Sequence, residues 1–299
     1  MSSAPETSSS VDRTSGVLNA LSFDIEDWFH LVEIDAVADT NKWPTFSSIV
    51  ERRTDEILGI CDEYGVRATF YFLGWIAERY PELVRRTAEA GHEIGTHSYW
   101  HRKVCDLTPE EFREDLRRSI DVIGSASGAT VTSFRAPSFS ITPGSEWAFD
   151  EILDAGLRYD ASLFPVPREN GGYPCEHEPH VFRGAPSGRT IPELPMSLMR
   201  IGPTQTGFSG GGYLRLFPRW LIRRGFTSLN DRGMPVVVYL HPRDFAPDSP
   251  MVPMSASRRF KCYVGLASTA GKLRMLLERH RFGTCAEVLE TQLGKETMS

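Results

Sequence analysis

The chain has 299 residues, 40% of them hydrophobic and 24% charged, which is enough apolar material for a large folded core. Its formal net charge of −6 argues against a general nucleic-acid-binding protein, because phosphate affinity is built from clustered excess Lys and Arg. No apolar stretch of the sequence reaches the length of a membrane span, so no transmembrane segment is predicted.

The N-terminal residues are rich in Ser and Thr and lack the apolar core of a signal peptide, so residues 1–16 are predicted to be a disordered tail. The remaining residues, 17–299, show no repeat or linker and are predicted to form one domain. The five cysteines are odd in number and include no CxxC pair, which favours reduced thiols over a framework of disulfides. We therefore expect a cytoplasmic protein, with a peripheral position at the inner membrane face as an open alternative.

Strand-like and helix-like segments alternate along the chain. Strands are predicted within 17–23, 66–74, 92–98, 130–137, 157–165, 234–242 and 282–285. Helices are predicted within 47–65, 80–91, 109–124, 145–156 and 268–280, followed by a closing helix. This alternation predicts an α/β fold with mostly parallel strands, a distorted (β/α) barrel. The Pro- and Gly-rich residues 165–214 are predicted to be a loop region that walls a binding groove.

Three acidic residues follow the first predicted strand in "SFDIEDWFH": Asp24, Glu26 and Asp27. Burying such a cluster is costly unless a cation offsets the charge, because nearby carboxylates raise one another's pKa. The simpler interpretation is an exposed loop in which Asp27 caps a helix. The strongly apolar strand that leads into the cluster favours a buried site.

Two histidines lie four residues apart in "GTHSYWHRKV", just after another predicted strand. On its own the pair His97 and His101 is a weak signal for a metal site. Two further polar residues also follow predicted strands, Arg135 in "TSFRAPSFS" and His241 in "VVVYLHPRDF". Each alone could be a surface charge or a core histidine. In a (β/α) barrel, however, the carboxyl ends of the strands meet at one face, which favours a shared site.

Five segments occur in the order of a known set of motifs: "SFDIED", "HEIGTHSYWH", "FRAPSFS", "YDASLFP" and "YLHP". The sequence thereby resembles the polysaccharide deacetylases of the NodB type, carbohydrate esterase family 4, over roughly residues 17–289. It is most similar to the branch associated with exopolysaccharide and exosortase gene clusters, with the segments around "GGGYLRLFP" and "RFKCYVGL" as an extra C-terminal region.

The resemblance implies a NodB-like barrel of about seven strands that holds a divalent metal ion, with zinc as the expected ion. His97 and His101 would be two ligands, and an acid of the first motif the third. The usual first motif has two adjacent aspartates, whereas the acids here are spaced differently. Strand alternation places residues 24 and 26 on one face and favours Glu26 as the ligand, with Asp27 as the alternative.

The resemblance also implies the catalytic roles. Asp24 would be the general base that activates the attacking water, and His241 the general acid that protonates the departing amine. Arg135 would hold Asp24 ionised and oriented. Asp160, from the "YDASLFP" motif, would pair with His241 or support the site from behind.

Two residues are candidates for binding the substrate. Ser138 stands where many relatives have Tyr, and its backbone N–H would still be able to hold an oxyanion. Trp100 would flank a sugar ring or pack against the core. The implied substrate is a carbohydrate, an N-acetylated amino sugar of surface polysaccharide or exopolysaccharide synthesis, such as a lipid-linked or nucleotide-linked precursor.

Two other functions are compatible with these residues. One is an amide hydrolase on the same fold that acts on a small non-sugar substrate. The other is a catalytically inactive homologue that binds glycans, which the unusual acid spacing and Ser138 would support. The sequence does not indicate an oligomeric state.

Overall fold

The computed structural model describes residues 16–31 and 34–298, so nearly all of the expected tail, residues 1–16, lies outside the described residues. The strands are β1 (Leu18–Ile25), β2 (Thr69–Phe72), β3 (Glu93–Thr96), β4 (Ser133–Phe134), β5 (Tyr159–Asp160), β6 (His180–Phe182), β7 (Ile191–Glu193), β8 (Leu198–Ile201), β9 (Thr204–Gly207), β10 (Val237–Leu240) and β11 (Arg281–Gly283). The helices are α1 (Val50–Glu63), α2 (Gly74–Arg79), α3 (Pro81–Glu89), α4 (Pro109–Ser127), α5 (Trp147–Asp154), α6 (Gly211–Leu216), α7 (Arg219–Asn230), α8 (Ala256–Tyr263), α9 (Thr269–Arg279) and α10 (Cys285–Leu293).

The main sheet has nine strands, and seven of them follow one another in parallel pairing in the order β10-β1-β2-β3-β4-β5-β7. Strand β6 pairs antiparallel with β7, and β11 pairs parallel with the first half of β1. Strands β8 and β9 form a separate antiparallel hairpin. This architecture confirms the predicted α/β fold, a distorted (β/α) barrel.

Alternate residues of β1 face two different cores, as the pleat of a strand requires. Leu21, Phe23 and Ile25 pack in the core between the sheet and the outer helices. Ala20 belongs instead to a second core on the concave face, which the closing helix α10 fills from one end with Cys285 and Leu289. Asp24 has the same parity as Ala20, so its carboxylate points towards the interior of the barrel.

The helix α4 shows how the sequence sets the ends of an element. Thr108 and Glu111 form a capping box at its N-terminus, and Pro109 occupies the first helical turn, where a missing N–H costs nothing. Gly128 ends the helix in the left-handed conformation, at a φ of 68°. The helix therefore begins where it was predicted and runs three residues past the predicted end.

The region 165–214 differs from the prediction. It contains four short strands, β6 to β9, as well as loops, because alternating segments such as "HVF" and "IPE" pair locally in an antiparallel manner. Helices α2, α6, α7 and α8 were also not predicted. Strands β4 and β5 have only two residues each, shorter than the predicted segments, because the chain turns into the site loops immediately afterwards.

Candidate metal centre and active site

Three side chains that could hold a metal ion converge at the carboxyl ends of β1 and β3. The potential ligand atoms of Glu26, His97 and His101 all lie within 4.8 Å of one another, and all three residues are buried. Glu26 Oε2 lies 2.7 Å from His101 Nε2, yet it is buried without an aligned hydrogen bond to any described residue. A buried carboxylate that faces two buried imidazoles supplies the oxygen and nitrogen donors of a divalent-ion site, so these residues fit such an ion.

His97 is held in the form that a ligand needs. Its Nδ1 lies 2.7 Å from the backbone oxygen of Arg135, and a carbonyl oxygen only accepts, so Nδ1 carries the proton and Nε2 keeps its lone pair. Burial lowers the pKa of His97 to about 4, which keeps the ring neutral near pH 7. For Glu26, burial acts to raise the pKa, but the nearby His101 outweighs it and the pKa falls well below its usual range.

Asp27 points away from this cluster. Its carboxylate accepts hydrogen bonds from Ser48 Oγ and from the backbone N–H groups of Trp28 and Ile49. It therefore binds the segment that leads into α1, and residues 26–31 form no helix, contrary to the simpler interpretation of this stretch. Of the two acids proposed as the third ligand, Glu26 is the one that the structure brings to the histidines.

The loop that carries both histidines, residues 97–101, is anchored by Asp115 of α4. Asp115 is buried, and its two oxygens accept hydrogen bonds from the backbone N–H groups of Tyr99 and Trp100, at 2.6 and 3.2 Å. The N–H of Gly74, at the start of α2, donates to Ser98 O at 2.8 Å. The loop is thereby fixed by groups that the sequence analysis did not identify.

Backbone strain is concentrated at the site. The described part of the chain has four non-glycine residues with positive φ: Ser98, His101, Ser138 and Phe139, at 66°, 57°, 55° and 55°. Two of them lie in the histidine loop and two in the turn that follows Arg135. Such conformations cost energy and persist where the surrounding structure enforces them, often at functional sites.

Asp24 is oriented by a buried arginine. Arg135 Nη1 donates to Asp24 Oδ1 and to Ser22 Oγ, both at 2.8 Å, and Arg135 Nε donates to Ala161 O at 3.1 Å. The guanidinium lies over the ring of Tyr71, 4.3 Å from its centre. Arg135 is fully buried, and although burial opposes its charge, Asp24 raises its pKa above the usual range. Asp24 Oδ2 is left to face the site.

His241 lies near Asp24 and is paired with Asp244. His241 Nδ1 lies 2.9 Å from Asp244 Oδ2, and His241 Nε2 lies 3.7 Å from Asp24 Oδ2. Asp244 in turn lies 2.8 Å from Arg215 of α6. Burial opposes the charged ring, but the hydrogen bond to Asp244 and the surrounding carboxylates raise the pKa of His241. The imidazole can therefore carry a proton at Nε2 towards the site.

Asp160 does not pair with His241, which corrects one of the two expectations for it. Its oxygens accept from the backbone N–H and the hydroxyl of Ser162, at 2.9 and 2.7 Å. Burial and the adjacent carboxylate of Asp160 raise the pKa of Glu193 well above its usual range. Ser162 Oγ accepts from Ala136 N at 2.8 Å, so Asp160 supports the turn after Arg135 from behind.

These groups open onto a cavity of about 640 Å³. Its wall includes the candidate site residues Asp24, Glu26, His97, His101, Ser138 and His241. Parts of the region 165–214 contribute to it as expected, through residues 167–170 and 211–213. Trp100 does not line the cavity, which corrects the expectation that it binds substrate. Its ring packs 6.1 Å from that of Trp43, because the anchored loop turns it towards the outer core.

Sequence reasoning missed three supporting residues: Asp115, Arg215 and Asp244. Asp244 carried a usable signal, since it lies three residues after His241 in "HPRDF", within one turn of the short 3-10 helix that follows β10. Asp115 and Arg215 lie in helices far along the chain from the groups they hold. No local pattern distinguishes them from other charged residues of amphipathic helices.

Comparison with known families divides the chain into two matched parts. Residues 39–155 match the family described as Polysaccharide deacetylase, which includes His97, His101 and Arg135. Residues 161–290 match the family described as Domain of unknown function (DUF3473), which includes His241 and Asp244. The candidate site therefore draws residues from both matched parts and from β1, which precedes them. In the part of the chain that the structure describes, no helix combines the length and apolarity needed to cross a bilayer.

Individual relatives agree with the first match. The chain is 31% identical over 106 residues to a peptidoglycan-N-acetylglucosamine deacetylase of Bacillus cereus, covering 36% of this chain and 34% of the relative. It is 31% identical over 117 residues to the peptidoglycan-N-acetylmuramic acid deacetylase PdaC of Bacillus subtilis, covering 39% of this chain and 23% of the relative. The chain thus spans only about a third or less of the length of these two relatives.

The fold extends over a greater length than the sequence similarity. The crystal structure of a candidate polysaccharide deacetylase from Mycobacterium smegmatis superimposes with a TM-score of 0.64 at 19% identity, covering 98% of this chain and 96% of that one. At this identity the likeness shows the fold alone. The chain is thus similar in sequence to polysaccharide deacetylases over residues 39–155, and it shares the fold of this crystal structure over nearly its whole described length.

Proposed function

We propose that the protein is a metal-dependent deacetylase that removes N-acetyl groups from an N-acetylated amino sugar in surface polysaccharide or exopolysaccharide synthesis. The observation that carries the proposal is the convergence of Glu26, His97 and His101 beside two further pairs, Asp24 with Arg135 and His241 with Asp244, around one cavity. Amide hydrolysis needs an activated nucleophile, stabilisation of an oxyanion and a proton for the leaving amine. The three groups of residues match these three needs.

Glu26, His97 and His101 would hold a divalent ion, for which zinc suits the two imidazoles and one carboxylate. When bound, such an ion supplies Lewis acidity and lowers the pKa of water at the site. Asp24 Oδ2 takes a proton from the attacking water, and Arg135 holds the other oxygen of that carboxylate at 2.8 Å. His241 Nε2 gives a proton to the departing amine, with its ring fixed through Nδ1 by Asp244.

The names of the relatives and the motifs of the sequence support two candidate substrates. The two relatives named above deacetylate peptidoglycan sugars by name, so a peptidoglycan-type sugar is a second candidate beside an exopolysaccharide sugar. The motif order and the C-terminal segments support the exopolysaccharide branch. The five cysteines are all free thiols, which agrees with a cytoplasmic site of action on a lipid-linked or nucleotide-linked precursor.

Acetate release from a panel of N-acetylhexosamine oligomers and precursors tests the activity. The purified protein, its metal content measured by elemental analysis, is expected to release acetate and to contain about one metal ion per chain. His97→Ala is expected to lose both, whereas His177→Ala, a histidine outside the cluster, keeps them. Stoichiometric metal in the His97 variant, or no acetate from any substrate with metal-loaded protein, would refute the proposal. Glycan binding without turnover would favour the inactive homologue.

A further inference from the structure

Positive charge is left over around the cavity once each carboxylate is assigned to its nearest partner. Four carboxylates line it, those of Asp24, Glu26, Glu169 and Asp244, together with four cations, those of Arg168, Arg215, Arg243 and Lys261. Asp24 lies 2.8 Å from Arg135 behind the wall, Asp244 lies 2.8 Å from Arg215, and Glu169 lies 3.2 Å from Lys261. Glu26 faces the two histidines. Two guanidinium groups, of Arg168 and Arg243, are left without a carboxylate.

Arg243 is the more buried of the two, with 9% of its surface exposed. It belongs to the short 3-10 helix after β10, two residues from His241. Its Nη2 donates to the backbone oxygen of Cys262 at 3.2 Å. No described carboxylate lies within ion-pair distance of it. Burial opposes the charge of Arg243, and the carboxylates of Asp244 and Glu26 offset that cost only from beyond contact distance. An anion that enters the cavity would supply the contact partner that Arg243 lacks.

Arg168 approaches the cavity from the loop after β5. Its guanidinium lies over the ring of Phe164, 4.3 Å from the ring centre, and its Nη1 is buried without a hydrogen-bond partner among the described residues. The backbone is closely packed at this point. Arg168 N donates to Gly171 O at 2.9 Å, and a Cβ on Gly171 would stand 2.1 Å from Phe139 O. The backbone contacts and the ring of Phe164 therefore place the guanidinium at the cavity wall.

We propose that Arg168 and Arg243 form an anion subsite of the cavity, which binds a phosphate or carboxylate group carried by the amino-sugar substrate. The inference rests on the proposed function, since the subsite opens into the same cavity as the candidate metal centre. Arginine suits this task because its planar fork of donors matches anionic oxygens and stays charged at any working pH. The subsite would make the enzyme prefer an anionic sugar over a neutral one.

Calorimetric titration of the metal-loaded protein with three probes tests the subsite independently of turnover. The probes are N-acetylglucosamine, N-acetylglucosamine 1-phosphate and N-acetylmuramic acid. At least one anionic probe is expected to bind about tenfold tighter than the neutral sugar, and this advantage should shrink with added salt. Which anionic probe has the advantage distinguishes a phosphate from a carboxylate source.

Variants assign the effect to the two arginines. Arg168→Gln and Arg243→Gln are each expected to remove most of the advantage, whereas Arg243→Lys, which keeps a charge, should retain part of it. Arg200→Gln, an exposed arginine of β8, is the matched control and should behave like the wild type. Thermal unfolding of each variant checks that it is folded.

Two results would overturn the inference. One is equal affinity for all three probes. The other is an advantage that survives both arginine variants and disappears in His97→Ala, because the anion would then bind through the metal ion alone. Acetate release from neutral amino sugars is scored separately, so a lack of activity refutes the proposed function without deciding whether the arginines bind an anion.

Discussion

The carboxylate of Asp244 lies 2.9 Å from Nδ1 of His241 and also accepts the backbone N–H of His241, at 3.0 Å. Two bonds from one carboxylate fix both the orientation of the ring and the nitrogen that carries the outer proton. Burial raises the pKa of Asp244, but Arg215 and His241 outweigh it and hold the pKa at about 2. The carboxylate of Asp244 is therefore ionised throughout the physiological pH range.

Asp244→Asn should lower kcat, and it should also lower stability because Asp244 pairs with the buried Arg215, so thermal unfolding is measured alongside. The amide keeps the shape of the side chain but removes the charge that favours the correct tautomer of His241, so kcat is expected to fall about a hundredfold, with a small change in KM. Steady-state deacetylation of an N-acetylated oligosaccharide measures it. Asp248→Asn, an exposed aspartate nearby in the sequence, is the control. A wild-type kcat in Asp244→Asn would show that Asp244 does not position the acid.

Asp115→Ala should weaken metal binding although Asp115 is not a ligand. Its carboxylate holds Tyr99 N and Trp100 N, and without it the loop between the two histidines loses its anchor. We expect metal affinity to fall about tenfold or more and stability by about 1–3 kcal/mol. Competition with a chromophoric chelator measures the affinity. Asp121→Ala, on the exposed face of the same helix, should leave both unchanged, and equal losses in the two variants would contradict this role.

Substitution of two glycines by alanine should have opposite effects. A Cβ at Gly74 would stand 2.6 Å from Tyr99 Cδ2 and 2.9 Å from Ser119 Oγ, so Gly74→Ala must displace the histidine loop and should cost about 1–3 kcal/mol. Gly59 lies inside α1 with nothing near its missing Cβ, so Gly59→Ala should stabilise by about 0.5–1 kcal/mol. Urea unfolding measures both free energies. The prediction fails if the two variants shift the midpoint in the same direction.

Stability should fall between about pH 6.5 and pH 4, partly because of His92. Burial, with a contribution from Arg67, lowers the pKa of His92 to about 4, and its Nδ1 accepts a hydrogen bond from Ala68 N at 3.2 Å. Below its ordinary pKa the unfolded chain binds a proton that the native state does not, so acidification favours unfolding. His92→Gln removes this contribution, about 1 kcal/mol after allowing for partial exposure.

Urea unfolding at about pH 7 and about pH 5 measures the effect of His92. The wild type should lose more free energy of unfolding between the two pH values than His92→Gln does. His177→Gln, at a partly exposed histidine, is the control and should match the wild type. The same pH dependence in wild type and His92→Gln would show that the native ring titrates like that of an unfolded chain.

Much of the fold could be predicted from local pattern. The alternation of strand-like and helix-like segments identified the parallel strands β1, β2, β3 and β10. Of these, β1, β2 and β10 read as mostly apolar runs because they are buried on both faces. Three polar residues of the site, Asp24, His97 and His241, could be recognised because each stands at or just after the end of a predicted strand, which is a feature of the local sequence. Their grouping at one edge follows from parallel pairing.

The choice among candidate partners was decided only by the tertiary structure. Glu26 rather than Asp27 faces the histidines because Ser48 and Ile49, some twenty residues further along the chain, bind the carboxylate of Asp27. Asp244 rather than Asp160 holds His241, because β5 directs Asp160 towards Ser162. Such choices depend on distances between segments far apart in the sequence, and residue type and spacing along the chain do not contain those distances.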